Sequence, residues 1–74
     1  MSTAQIRAGE RPPLEAMPLV DIINMLEKKG FSPITQLSFD EGVWEVDAYN
    51  PDQEPRELTI HPVTGEILSN RRDH

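Results

Sequence analysis

The sequence lacks cysteine and contains only two histidines among its 74 residues. Without cysteine the chain can form neither a disulfide bond nor a thiolate metal site, and it has no thiol nucleophile. A zinc site usually needs three or four nitrogen or sulfur ligands, which His61 and His74 cannot supply. The sequence therefore excludes thiol chemistry and predicts no zinc centre.

Glycine-rich loops and long apolar runs are absent as well. The glycines are too far apart to form a phosphate-binding loop, and they are Gly9, Gly30, Gly42 and Gly65. No apolar run approaches the roughly 18 residues of a transmembrane helix. Residues 1–10 have no apolar signal-peptide segment, so we expect any export signal to be absent from this sequence. Membrane insertion is not expected.

Positive charge is scarce where the chain is expected to fold. The formal net charge is −6, and residues 17–70 hold three lysines and arginines against ten acidic residues, a net charge of −7. A phosphate backbone or an anionic bilayer would be repelled by such a domain. We therefore predict that the partner is neither a nucleic acid nor a membrane surface.

The length allows one small domain with two flanking tails. Residues 1–16 show no periodicity and contain a Pro-Pro pair, so they are predicted to form a disordered tail, with a docking peptide as the alternative. Residues 71–74 are predicted to be a frayed tail. Because residues 17–70 can bury only a small core, stability should be marginal. We expect a monomer or a weak homodimer.

A helix is the first element that the ordered part predicts. Pro18 suits the first helical turn, where its missing N–H costs nothing. Gly30 can end the helix in a left-handed conformation. Four apolar residues recur at helical spacing on one face, and these are Leu19, Ile22, Ile23 and Leu26. A face turned to the core is the expected arrangement, and a helix that binds a partner groove is the alternative.

After the helix the apolar period changes from 3.6 to 2, which indicates strands. Ile34 is out of phase with Leu37 and Phe39, which indicates a bulge or a late strand start. Residues 40–42 are predicted to form a tight hairpin turn with glycine at positive φ. The strands are predicted in four segments, 34–40, 43–49, 56–60 and 66–69.

The order of these elements predicts an α+β fold. One N-terminal helix packs on a three- to four-stranded antiparallel meander sheet, and the other sheet face stays wet. The predicted core comprises Leu19, Ile22, Ile23, Leu26, Phe31, Leu37, Phe39, Trp44, Val46, Ala48, Leu58, Ile60 and Leu68.

The stretch "IHPVTGEIL", residues 60–68, groups polar residues that resemble a reactive site. Pro62 fixes φ and starts a turn, Gly65 can close it, and Thr64 can hydrogen-bond locally. His61 is interpreted as a solvated residue at the end of a strand. The serines lack the context of a nucleophile elbow, so no catalytic residue is predicted and the protein is not expected to be an enzyme.

Several carboxylates cluster around the hairpin turn and on the wet face of the next strand. Clustered carboxylates can bind calcium, but the Asp-x-Asp-x-Asp-Gly loop is missing. A solvated acidic face is the expected interpretation, and a cation site over residues 40–47 is the alternative. These carboxylates are Asp40, Glu41, Glu45 and Asp47. No metal or cofactor ligand is assigned.

A protein-binding surface is the stronger functional prediction. The wet sheet face could bind a partner, and an unpaired strand edge could recruit an extended peptide. Tyr49 is either an interface anchor or a residue that caps the end of the sheet. The predicted partner-binding residues are Val43, Glu45, Asp47, Tyr49 and Thr59.

Three segments together resemble a PepSY domain over residues 17–70. They are a helix ending in "MLEKKGF", the strand "GVWEVDAY" and the hairpin "LTIHPVTGEIL". The matching positions of the middle motif are Gly42, Trp44, Glu45, Val46 and Ala48. Those of the last motif are Thr64, Gly65, Glu66, Ile67 and Leu68. His61 departs from the family pattern, which commonly has aspartate there.

The resemblance implies a non-catalytic module. PepSY domains occur in the propeptides of thermolysin-like secreted metallopeptidases, in membrane-bound regulators and as small exported proteins. A periplasmic or secreted domain that binds a protein, and that modulates or inhibits a secreted metallopeptidase, is therefore expected. The alternative is an extracytoplasmic sensor or accessory domain that binds a small ligand or cation. The family pattern assigns no inhibitory contact, and its matching residues are interpreted as core and turn positions.

Overall fold

The computed structural model describes residues 5–6 and 11–73, which form one helix and one sheet. The strands are consecutive in the sheet, in the order β1-β2-β3-β4-β5. Strands β2 to β5 pair antiparallel, whereas β1 pairs parallel with β2. The predicted α+β fold is confirmed. The elements are β1 (Gln5–Ile6), α1 (Leu19–Lys28), β2 (Ile34–Asp40), β3 (Val43–Tyr49), β4 (Pro55–Ile60) and β5 (Ile67–Arg72).

The two predicted tails are only partly described. Residues 1–4, residues 7–10 and His74 lie outside the described residues, and the disorder predicted for residues 1–16 stays a prediction. The backbone of Gln5–Ile6 pairs with β2. At the other end, the sequence predicts that the domain stops at residue 70. Strand β5 extends beyond this residue and ends at Arg72.

Helix α1 ends before Gly30 as predicted, but it begins at Leu19, one residue after Pro18, which the sequence places in the first helical turn. Pro18 is the N-cap residue, and its carbonyl accepts a hydrogen bond from the Asp21 N–H at 2.9 Å. At the other end Gly30 has a φ of 94°. Its N–H donates to Glu27 O at 3.0 Å, and the Phe31 N–H donates to Leu26 O at 2.9 Å. These two bonds are a Schellman motif, which satisfies carbonyls that the helix end leaves free.

The β2–β3 hairpin has the tight turn predicted at residues 40–42. Glu41 has a φ of 52° and Gly42 a φ of 80°. Two consecutive left-handed residues are typical of a type I′ turn, whose twist matches that of the flanking strands. The turn brings Asp40 and Val43 into register and thereby fixes which residues of β3 face the core.

The core lies between α1 and one face of the sheet. Ten of its eleven buried residues belong to the predicted core, and Ile34 is the exception. Leu19 and Ile23 of the helix were also predicted in the core, but they are only partly buried. Ile34 is fully buried because the β2–β3 register shifts between Ile34 and Gln36. The buried residues are Ile22, Leu26, Phe31, Ile34, Leu37, Phe39, Trp44, Val46, Ala48, Leu58 and Ile60.

The core prediction was wrong for Leu68, whose side chain is 47% exposed. Thr59 pairs with Ser69, but the next residue, Ile60, pairs with Ile67. Leu68 is thus the extra residue of a β-bulge and has no opposite partner on β4. Ile67 takes the inward position and packs against the core instead.

Trp44 is the largest side chain of the core and is 5% exposed. Its ring meets Phe39 edge to face, with centroids 5.2 Å apart and an interplanar angle of 71°. This geometry is favourable for aromatic pairs. The indole Nε1–H is buried and has no acceptor among the described residues. Trp44 therefore acts mainly through apolar burial.

Candidate protein-binding face

Strand β3 separates the core from the predicted binding residues by simple alternation. Trp44, Val46 and Ala48 are buried, and the residues between them point to the opposite side of the sheet. That opposite side, here called the open face, carries all five predicted residues. They are Val43, Glu45, Asp47 and Tyr49 of β3 and Thr59 of β4.

Cross-strand pairing arranges the open face in two rows. Glu45 lies opposite Thr59, and the Thr59 hydroxyl donates to Glu45 Oε2 at 3.3 Å. Asp47 lies opposite Glu57, which in turn lies opposite Arg71. The Arg71 guanidinium donates to Glu57 Oε1 at 2.6 Å and forms an ion pair with it. The Glu45–Thr59 and Glu57–Arg71 pairs contribute about 0.2–1 kcal/mol each to the sheet, whereas the like charges of Asp47 and Glu57 repel each other.

Acidic residues dominate the electrostatics of the open face. Burial raises the pKa of the Glu45 carboxyl above its ordinary value of 4.5, and the hydrogen bond from Thr59 opposes this shift. The negative charges of Glu57 and Asp40 also raise this pKa, and Arg71 lowers it. The acidic side chains therefore repel one another electrostatically, and a positively charged partner surface would reduce this repulsion.

Further charged residues of the open face are not among the predicted binding residues. Glu57 and Arg71 face the same side as Asp47 because register places them in one row. The sequence predicts Arg71 in the frayed C-terminal tail, whereas in the structure it belongs to β5. The position of Arg71 could have been predicted by extending the last strand beyond Ser69. Side chains two residues apart on a strand point to the same side, so Arg71 lies on the same face as Ser69.

Tyr49 lies at the end of the open face and is 36% exposed. Its backbone ties the sheet to the segment after α1, because its carbonyl accepts from the Ser32 N–H at 2.9 Å and its N–H donates to Pro33 O at 3.2 Å. These hydrogen bonds hold the backbone of Tyr49 in place. This is compatible with Tyr49 as an interface anchor and with Tyr49 as a residue that caps the end of the sheet.

The side chain of His61 stabilises the turn after β4. Its Nδ1 accepts hydrogen bonds from the backbone N–H groups of Val63 at 3.1 Å and Thr64 at 3.3 Å. Thr64 Oγ1 accepts from the Glu66 N–H at 3.2 Å, and Gly65 closes the turn with a φ of 76°. An aspartate side chain caps turns by accepting the same kind of bond, so His61 replaces it without loss of the turn.

The described residues contain neither a metal-binding cluster nor a helix able to cross a membrane. In residues 5–6 and 11–73 no three or more histidine, cysteine, aspartate or glutamate side chains are grouped so that they could hold a metal ion. Within the same part of the chain, no helix has the length and apolarity needed to cross a membrane.

The comparison with protein families agrees with the motifs and the fold. A family profile described as "Peptidase propeptide and YPEB domain" matches residues 1–71. The chain belongs to the PepSY family. The match spans α1, the sheet and the turn at His61, so the PepSY resemblance of the motifs is confirmed. No significant match was found among curated proteins or among solved structures.

Proposed function

We propose that this PepSY domain is a non-catalytic, extracytoplasmic module that binds a secreted metallopeptidase and restrains its activity. Family membership supports a peptidase-related module. The observation that carries the proposal is the open face, where acidic residues and Tyr49 lie on one side of the sheet. The opposite side is occupied by α1 and the core, so the open face is the broad surface available to a partner.

The chemistry of the open face specifies the partner surface. Asp40, Glu45, Asp47 and Glu57 outnumber Arg71, so a complementary surface would carry lysine or arginine side chains. Such complementarity speeds association and disfavours acidic competitors. Tyr49 and the half-buried Val43 add apolar area at the two ends of β3. Exposed tyrosines are among the residues that contribute most to protein interfaces.

The test is a titration of the isotope-labelled chain with a catalytically inactive thermolysin-like metallopeptidase. Amide shifts or broadening over residues 43–49 and at Thr59, together with dose-dependent inhibition of the active enzyme, are expected. Binding that leaves these amides unchanged would exclude the open face as the contact surface. Binding without inhibition would exclude the restraining role.

A pair of charge-matched variants sharpens this test. Glu45→Lys reverses a charge in the middle of the open face and should weaken binding by about tenfold, which is 1.4 kcal/mol. Glu15→Lys makes the same change of net charge at an exposed position before α1 and should leave affinity within about twofold. Equal losses would mean that only overall charge matters, which contradicts a specific surface.

A calcium titration addresses the alternative of a sensor or accessory domain. That alternative places a cation near residues 40–47. Saturable shifts confined to these amides at millimolar calcium, without any response to the peptidase, would favour it over peptidase binding.

A further inference from the structure

The free edge of the sheet at β5 differs in chemistry from the open face. Strand β5 is last in the sheet order, and no other strand of the described chain pairs with its outer side. An edge strand offers backbone N–H and C=O groups to an incoming strand. The side chains along this edge then decide which strands are accepted.

Two arginines lie directly opposite each other where β5 ends. Arg56 pairs with Arg72, and Arg56 in turn pairs with Ala48 of β3. Arg56 alternates with the buried Leu58 and Ile60, so this row lies on the helix-bearing side of the sheet, beyond the core. Like charges at opposite positions destabilise a strand pair. Such a row is stabilised when a carboxylate is supplied next to it.

The two guanidinium groups of this row differ in how they are held. Arg56 is half-buried and fixed, since its Nε donates to Asn70 Oδ1 at 2.7 Å and its Nη2 donates to Asn70 O at 3.0 Å. Arg72 is exposed, and its guanidinium group has no hydrogen-bonding or acidic partner among the described residues. Its neighbour Arg71, on the other side of the strand, is already paired with Glu57.

We propose that the outer edge of β5 binds an extended acidic peptide segment as an additional strand, with a carboxylate of that segment next to Arg72. Ala48, Arg56 and Arg72 lie opposite one another on three neighbouring strands. In the added strand, the residue opposite Arg72 would be an aspartate or a glutamate. Arginine binds carboxylates through two parallel hydrogen bonds, which suits a position with a free guanidinium. This surface is separate from the open face.

Charge and the bulge give the edge its selectivity. Charged side chains on an edge discourage indiscriminate pairing, and the arginines favour an acidic strand because they can bind its carboxylates. Leu68 of the bulge is 47% exposed on the same strand. The β5 edge therefore offers an apolar contact near its start and a cationic contact at its end. A peptide that binds there should carry apolar residues as well as an acidic one.

The test uses the full chain, isotope-labelled, and the capped peptide Ser-Val-Glu-Val-Thr at millimolar concentration. Saturable shifts and slowed amide exchange are expected over residues 67–72. The same peptide with Gln in place of Glu should bind about fivefold more weakly, corresponding to roughly 1 kcal/mol for an exposed ion pair. A peptide whose backbone is N-methylated on alternate residues should not bind, because it cannot pair with β5. Binding by the methylated peptide, equal binding by the Gln peptide or no shift over residues 67–72 would overturn the proposal.

Arg71 provides a matched control on the same strand. Arg72→Gln should weaken the Glu peptide by about fivefold and leave the Gln peptide unchanged, whereas Arg71→Gln should change neither by more than about twofold. Equal effects of the two substitutions would overturn the assigned position of the acid. The result does not depend on the peptidase experiment, because that experiment reports on residues 43–49 and Thr59.

Discussion

The two faces of the sheet come from alternate residues of the same strands, yet they differ in burial and in charge. On the helix-bearing face, Trp44, Val46 and Leu58 are buried at 5%, 0% and 0% exposure. On the open face, Glu45 and Thr59 are half-buried and joined by a side-chain hydrogen bond. Burial supplies the stability of the first face, whereas charge and shape determine what the second can bind.

This difference separates stability from recognition within one domain of 74 residues. A substitution on the helix-bearing face removes apolar contacts, and its cost depends on the cavity that remains. A substitution on the open face changes charge in partial contact with water, where its effect on folding is small. Core substitutions should therefore lower the free energy of unfolding, and open-face substitutions should mainly change binding.

The largest expected effect is that of Trp44→Ala. Removing the indole leaves a cavity against Phe39 and should lower the free energy of unfolding by about 3–5 kcal/mol. A domain of this size has little more than that in total. Circular dichroism during urea titration should show a chain that is mostly unfolded in water.

The matched aromatic substitution on the open face is Tyr49→Ala. Because Tyr49 is 36% exposed, we expect a loss below about 1.5 kcal/mol and a folded protein. A Trp44→Ala variant as stable as Tyr49→Ala would contradict the division between the two faces.

The next largest effect after Trp44→Ala is expected from adding a side chain at Gly30. A Cβ atom there would lie 2.6 Å from Pro51 Cγ, and φ is 94°. Gly30→Ala combines a steric clash with left-handed strain and should cost about 2–3 kcal/mol. At Gly42 a Cβ atom meets nothing within 4 Å, although φ is 80°. Gly42→Ala should then cost about 1 kcal/mol, from strain alone. Equal melting temperatures for the two variants would show that the contact with Pro51 adds nothing.

The helix-bearing face could be predicted from sequence wherever the strands are regular. Period two fixes the inward side of β3, and period 3.6 together with Gly30 fixes α1. The errors fall at bulges, because one inserted residue shifts the alternation. Ile34 is buried and Leu68 is exposed for this reason. The broken phase at Ile34 indicates the irregularity in β2, whereas the bulge at Leu68 depends on pairing with β4, which the local pattern of β5 does not contain.

The open face could be predicted only in part. The five predicted residues of the open face follow from alternation along β3 and β4. The row that joins Asp47, Glu57 and Arg71 requires the register of three strands, which a single sequence does not specify. The task of His61 was also missed, since its Nδ1 bonds depend on the path of the backbone through the turn.

The turn at His61 tests whether the aspartate of the family pattern can be exchanged for histidine. His61→Ala removes the acceptor for the Val63 and Thr64 N–H groups and should cost about 1–2 kcal/mol. His61→Asp supplies a carboxylate acceptor and should cost less than about 0.5 kcal/mol. Urea denaturation measures both. If Asp is as damaging as Ala, the side chain stabilises the protein through packing and not through these bonds.

The smallest expected effect is a pH dependence located on the open face. Burial, Glu57 and Asp40 raise the pKa of Glu45 in the folded protein, so folding favours its protonated form. The stabilising contribution is complete below the unfolded value of 4.5 and is lost as the pH rises through the folded pKa. Glu45→Gln should therefore raise the melting temperature slightly at pH 7, and the difference should vanish near pH 3. Thr59→Val removes the bond that lowers this pKa and should enlarge the pH dependence. A Glu45→Gln variant that is less stable than the parent at pH 7 would show that the carboxylate is favourably held, and the open face would then resemble a preformed ion-pair network.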